Sequence, residues 1–244
     1  MPAVTPQFFW FDLMTTDVDS AAQRLAALFG WTILSTGPWR GLAADETMVG
    51  SVLPIGDNAQ PHWLGQVLVD DVAATCRRTA FLQGEILLEP AMLDGVGKLA
   101  VVADPSGAVW SPTQPEVLPT EDVFTGQGRM IWATLLAPRP DLAAKAYKQL
   151  LDWKPRGVSP TPHGDVHLLG KRRTPVAGVM ALEESQPAQW VPHVQVVQIE
   201  ATADRASSLG FEVVLPPASV EGVGTLAIFR DPQGALIGAI TPID

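Results

Sequence analysis

Cysteine is nearly absent: Cys76 is the only one in 244 residues. That excludes an intrachain disulfide and a cysteine-built zinc site. Positive charge is also scarce, with 16 Lys and Arg against 26 Asp and Glu, a formal net charge of −10. An acidic chain with no basic cluster is a poor partner for a phosphate backbone, so a nucleic-acid-binding role is excluded. No apolar run approaches the ~18 residues of a membrane span. The opening MPAVTPQFF has neither a basic n-region nor a signal h-region, so a soluble, cytoplasmic protein is expected. Charged residues make up 17 % and apolar residues 47 %, which supports a sizeable buried core rather than disorder.

The chain contains itself twice. DSAAQRLAALFGW (19–31) and DLAAKAYKQLLDW (141–153) share Asp19/Asp141, Ala21/Ala143, Ala22/Ala144, Leu28/Leu150 and Trp31/Trp153 at an offset of 122. DGVGKLAVVADPSGA (94–108) and EGVGTLAIFRDPQGA (221–235) match at an offset of 127, as do Trp63 and Trp190. A five-residue insertion after Trp153, read as a loop in KPRGVSPTPHGD, accounts for the change of offset. The Pro- and Gly-rich acidic stretch near 116–128 joins the copies, giving expected domains 1–118 and 126–244.

Each copy divides again. Alternating FFWFDLM predicts a strand, and DVDSAAQRLAALFGW has an Asp/Ser start and a Gly stop for a helix. Three short strand-like runs follow (31–36, 39–44, 47–54), and then the order recurs from HWLGQVLV. The predicted class is α+β, with four βαβββ modules.

Four such modules, the strand–Asp–helix opening that ends in Phe-Gly-Trp, and the late Gly-x-Gly…Asp-Pro-x-Gly-Ala hairpin resemble the vicinal oxygen chelate superfamily. This is the superfamily of glyoxalase I, the bleomycin- and fosfomycin-resistance proteins and the extradiol dioxygenases. The resemblance covers nearly the whole chain and looks closest to tandem glyoxalase-like proteins with two domains. It implies a strand cup in each half. In the enzymes the cup holds a divalent metal, through a His on a module's first strand and a Glu on its last. The His slots fall here on Trp10, Leu64, Trp132 and Val191, and the Glu slots on Ser111 and Gly238. None of these side chains binds such an ion, so neither a metal nor another cofactor is expected.

Strand alternation sorts the remaining candidates. Trp10, Asp12 and Gln66, with Ser111, would line the first cup; Trp132, Thr134, His193 and Gln195 the second. A Trp wall with a few polar groups suits a small apolar or aromatic ligand. The plainer alternative is that Trp10 and Trp132 plug the cups. Asp104 and Asp231 read as turn formers, His163 and His167 as exposed hairpin histidines, and His193 as a structural histidine rather than a proton-transfer group. Three functions stay open: a metal-free small-molecule binder, which the residues favour; an enzyme (lyase, isomerase or dioxygenase) using unrecognised ligands or His193 and Asp12; and an interaction protein with filled cups. The duplicated halves can supply internally the pairing that single-domain relatives make between chains, so a monomer suffices, with a dimer left open.

Overall fold

The structure is a computed structural model and describes residues 5–57, 59–171, 174–182 and 186–243. The first half runs β1 (Phe8–Thr15), α1 (Val18–Phe29), β2 (Thr32–Thr36), β3 (Trp39–Ala44), β4 (Thr47–Pro54), β5 (His62–Leu68), α2 (Val72–Phe81), β6 (Glu85–Leu93), β7 (Gly97–Ala103) and β8 (Val109–Pro115). The second half repeats it as β9 (Met130–Ala137), α3 (Pro140–Leu151), β10 (Lys154–Thr161), β11 (Gly164–Lys171), β12 (Thr174–Ala181), β13 (Gln189–Gln195), α4 (Ile199–Ser208), β14 (Glu212–Val220), β15 (Gly224–Arg230) and β16 (Leu236–Pro242). Each half forms its own eight-stranded mixed sheet, in the order β2-β3-β4-β1-β5-β8-β7-β6 and its counterpart β10-β11-β12-β9-β13-β16-β15-β14. The expected α+β class and tandem modules are therefore present.

Local chemistry explains the elements. Asp17 and Asp71 cap their helices by accepting from Ser20 N at 3.1 Å and Ala74 N at 2.9 Å. Gly30, with φ of 74°, turns the chain out of α1. The counterpart of Asp17 is Arg139, which makes no side-chain cap; Pro140 starts α3 instead. On β1, Phe11 and Leu13 face the helices and are buried, while Trp10, Asp12 and Met14 take the opposite, concave face.

The halves join through aromatic rings. Phe8 and Trp110 of the first meet Tyr147, Trp153 and Trp190 of the second, with Phe8–Trp190 centroids 4.8 Å apart and Tyr147–Trp190 centroids 5.1 Å apart, both edge-on. Trp190 Nε1 donates to the buried Tyr147 hydroxyl at 2.7 Å. One apolar core runs through both halves.

The insertion in the second copy is not a loop. It lengthens the β10–β11 hairpin, whose first strand spans Lys154–Thr161 where β2 spans only Thr32–Thr36. Alternating Val and Ser among the prolines is compatible with an edge strand, where proline's missing N–H costs no ladder bond. The longer arm reaches β14: Glu221 N donates to the buried Ser159 Oγ at 2.9 Å.

Candidate functional site

The two cups are built on the same register and filled differently. In the first, the antiparallel pairing of β1 with β5 sets Trp10 opposite Gln66, and the parallel pairing with β4 sets Asp12 beside Ser51. All four meet on one carboxylate. Trp10 Nε1 donates to Asp12 Oδ1 at 2.7 Å, Ser51 Oγ to the same oxygen at 2.5 Å, and Gln66 Nε2 to Oδ2 at 3.0 Å. Asp12 is 7 % exposed. Burial pushes its pKa up, and the bonds from Ser51, Gln66 and Trp10 oppose that shift. Ser111 lies beside Gln66 on β8, but its hydroxyl is spent within the sheet, donating to Ala100 O at 2.7 Å. Sequence reasoning misses Ser51, although alternation along MVGSVLP points to it as alternation along β1 points to Asp12.

The rest of this concave face is apolar and partly open. Trp10, Met14 and Leu64 are half-buried, while Leu88 and Leu93 on β6, cup-facing by register, are exposed.

In the second cup the corresponding positions are closed, except that Leu215, at the place of Leu88, is half-buried against the cluster. Trp132, Leu136, Val191 and Val220 stand at the places of Trp10, Met14, Leu64 and Leu93, and all are buried in a cluster of their own. Thr134 replaces Asp12 and accepts from Trp132 Nε1 at 3.1 Å. His193 replaces Gln66 and is fully buried, Nδ1 bonded to Val191 O at 3.1 Å and Nε2 without a partner. Two glycines make the room. A Cβ at Gly238, the counterpart of Ser111, would run into the His193 ring. At Gly178, the counterpart of Ser51, it would lie 2.9 Å from Val166 and 3.2 Å from the Trp132 ring. The space that is left, about 20 Å³ among Thr134, Met180, His193 and Ile228, holds roughly one water. Desolvation lowers the His193 pKa to about 3, so the ring is neutral at physiological pH.

Gln195 is not in the cup. The bulge here belongs to β9, where Ile131 is the extra residue, and β13 keeps its register with β16; the Gln195 side chain is drawn to the join, where its Oε1 accepts from Gly126 N at 2.9 Å. Val197, on the same alternation, lies beyond β13 and is exposed. Asp104 and Asp231 are turn formers: Asp104 accepts from Ser106 N and Ala108 N, Asp231 from Gln233 N and Ala235 N. His163 is exposed at the hairpin turn and His167 is half-buried.

A cavity of about 530 Å³ lies in neither cup but between the halves, over Trp63 and Trp190. Three of its polar side chains are engaged: Arg230 with Glu212 at 2.7 Å, His62 with Gln60 O at 2.8 Å, and Gln233 with Thr15 and the Asp17 carbonyl.

Among the described residues no group of three or more His, Cys, Asp or Glu is placed to hold a metal ion. The first cup offers one carboxylate already accepting three bonds, and the second one imidazole beside a glycine.

No family model matches the sequence. The chain is 26 % identical over 251 residues to CFP32 of Mycobacterium tuberculosis (strain CDC 1551 / Oshkosh), which carries a provisional glyoxylase name; the match covers 96 % of this chain and 94 % of that protein. It is 28 % identical over 253 residues to the anthracycline biosynthesis protein DnrV of Streptomyces peucetius, covering 93 % and 90 %. In fold it is similar to the Mn(II)-bound glyoxalase of Novosphingobium aromaticivorans (TM-score 0.68, 15 % identity, 99 % of this chain and 83 % of that one). It is likewise similar to 2,2',3-trihydroxybiphenyl 1,2-dioxygenase of Sphingomonas wittichii RW1 (TM-score 0.69, 13 % identity, 98 % and 91 %). The internal repeat, the paired mixed sheets and these likenesses converge on one fold: the chain has the tandem glyoxalase-like architecture shared by glyoxalases and extradiol dioxygenases.

Proposed function

We propose that the protein binds a small molecule with an apolar or aromatic body in the cup of its first half, without a divalent metal, and that the second cup is a structural plug. The observation that carries this reading is the asymmetry at matched positions. The first cup keeps a polar floor, Asp12 with Ser51 and Gln66, under a partly exposed apolar wall. The second has exchanged that floor for Thr134, Gly178 and His193, and its space is filled.

The metal-free part rests on donor chemistry. A catalytic divalent site takes about three protein ligands. The places where the superfamily's enzymes carry His and Glu hold Trp10, Leu64 and Ser111 in one cup, and Trp132, Val191 and Gly238 in the other. Asp12 alone would leave an ion mostly hydrated. The cleft between the halves ranks second as a ligand site, because its Arg230, His62 and Gln233 side chains are already paired and, among the described residues, it holds no buried carboxylate. The likeness to a protein named for anthracycline biosynthesis fits an aromatic ligand.

The test is a titration with 1-naphthalenemethanol, a neutral aromatic probe, in the presence and absence of chelator. Wild-type protein binds it equally in both, and Trp10→Ala weakens binding at least tenfold. Stoichiometric Zn, Fe, Mn or Ni in protein purified without added metal, with binding lost to chelator, would overturn the metal-free part.

A further inference from the structure

With the first cup read as the binding site, on which the inference rests, Asp12 constrains the ligand more tightly than shape does. A carboxylate offers about four acceptor positions. Trp10 and Ser51 occupy both of those on Oδ1, and Gln66 one on Oδ2, so one position on Oδ2 is left. All three neighbours are neutral donors. They stabilise the charged form without cancelling its charge, and a buried charge without a counter-charge is costly.

Among the described residues no protein cation supplies that charge. Residues 5–116 contain five Lys and Arg, and the fold sends each of them to the other side of the sheet. Arg24 lies on α1, and Arg77 and Arg78 lie on α2. Arg40 pairs with Asp19 of α1 at 2.8 Å. Lys98 stands opposite Gln114, whose side chain bonds the Asp70 carbonyl and Val72 N at the start of α2. From the other half, Arg129 is bound to the carbonyls of Ala44 and Asp122. Among the described residues no ion pair includes Asp12. The second cup, which is filled, has no carboxylate at the same place: Thr134 stands there. The carboxylate is therefore present only in the half whose cup-facing side chains are partly exposed.

We infer that the ligand of the first cup is an organic cation, a protonated amine on an apolar or aromatic body. The ammonium donates to the open position on Asp12 Oδ2 and lies against the half-buried Trp10 ring, whose face attracts cations. The body covers Met14, Leu64 and the exposed Leu88 and Leu93. The ligand completes an ion pair that the protein leaves half made.

Three probes of one shape and different charge test this by calorimetry at neutral pH: 1-naphthylmethylammonium, 1-naphthalenemethanol and 1-naphthoate. The expected order is ammonium, then alcohol at least tenfold weaker, then carboxylate with no measurable binding. In Asp12→Asn the ammonium and the alcohol bind alike. If that variant does not fold, as judged by circular dichroism, the charge series on wild-type protein decides alone. An alcohol that matches or exceeds the ammonium, or a carboxylate that binds best, overturns the cation inference and leaves the binding reading standing. So does an Asp12→Asn protein that keeps the preference. If none of the three binds wild-type protein, both fall.

Discussion

Trp31 and Trp153 make the same bond in opposite directions across the join. Trp31 Nε1 donates to Gly128 O at 2.8 Å, and Trp153 Nε1 donates to Pro6 O at 2.8 Å. Gly128 and Pro6 each precede the first strand of their half by two residues, at the same offset of 122 as the tryptophans. Each half thus closes the last turn of its first helix onto the chain that enters the other half. The internal repeat is in this way also an interface.

Trp31→Phe and Trp153→Phe each keep a ring and remove one bond, leaving a carbonyl without its donor. Each should cost about 1–3 kcal/mol in urea unfolding. Trp153→Ala, at a fully buried site in the shared core, should cost about 3–5 kcal/mol. Both halves should unfold in one transition. Two separated transitions in wild-type protein would contradict a shared core.

The repeat and the strand faces are readable because side-chain chemistry leaves a period in the sequence. Phe11 and Leu13 against Trp10 and Asp12 is such a period, and the structure keeps it. Alternation misplaces Gln195 because the bond from Gly126 N, 69 residues away in the chain, draws its side chain to the join, and such a contact has no signature in VPHVQVV. The β10 strand reads as a loop because proline marks turns more often than edge strands. That the second cup is filled is not readable from its own strands alone. It depends on Gly178 and Gly238 leaving room across the sheet for Trp132 and His193.

Those glycines give a second prediction. Gly238→Ala and Gly178→Ala insert a methyl group into occupied space, so each should destabilise by about 1–3 kcal/mol. The counterparts, Ser111 and Ser51, already carry side chains, and Ser111→Ala should cost less than Gly238→Ala. Thermal unfolding of the three variants checks the order.

His193 gives a third. Its folded pKa, about 3, lies below the ordinary 6.5, so between these values the unfolded chain binds a proton that the folded chain does not. Stability is full above pH 6.5 and is lost as pH falls toward 3, by at most roughly 4–5 kcal/mol. The raised pKa values of Asp12, Asp104 and Asp231 work the other way at the acid end. The comparison is therefore with His193→Leu, which should show a weaker fall in stability between pH 6.5 and 4. Parallel curves for the two proteins would contradict a neutral buried His193.

The long β10–β11 hairpin gives a fourth. Shortening it by five residues, to the length of β2–β3, removes the cover that reaches β14 through Ser159. Hydrogen exchange should then quicken in β14 and leave β6, its counterpart in the first half, unchanged. Unaltered exchange in β14 would show that the hairpin does not close the second cup.

The division of labour between the cups is tested most directly by watching the two tryptophans themselves. Protein carrying 5-fluorotryptophan gives a fluorine signal for each of its eight Trp residues, assignable by single Trp→Phe variants. On titration with 1-naphthalenemethanol, the Trp10 signal should shift and saturate while the Trp132 signal stays in place. Movement at Trp132 with Trp10 still, or shifts confined to Trp63 and Trp190 in the cleft between the halves, would contradict the account.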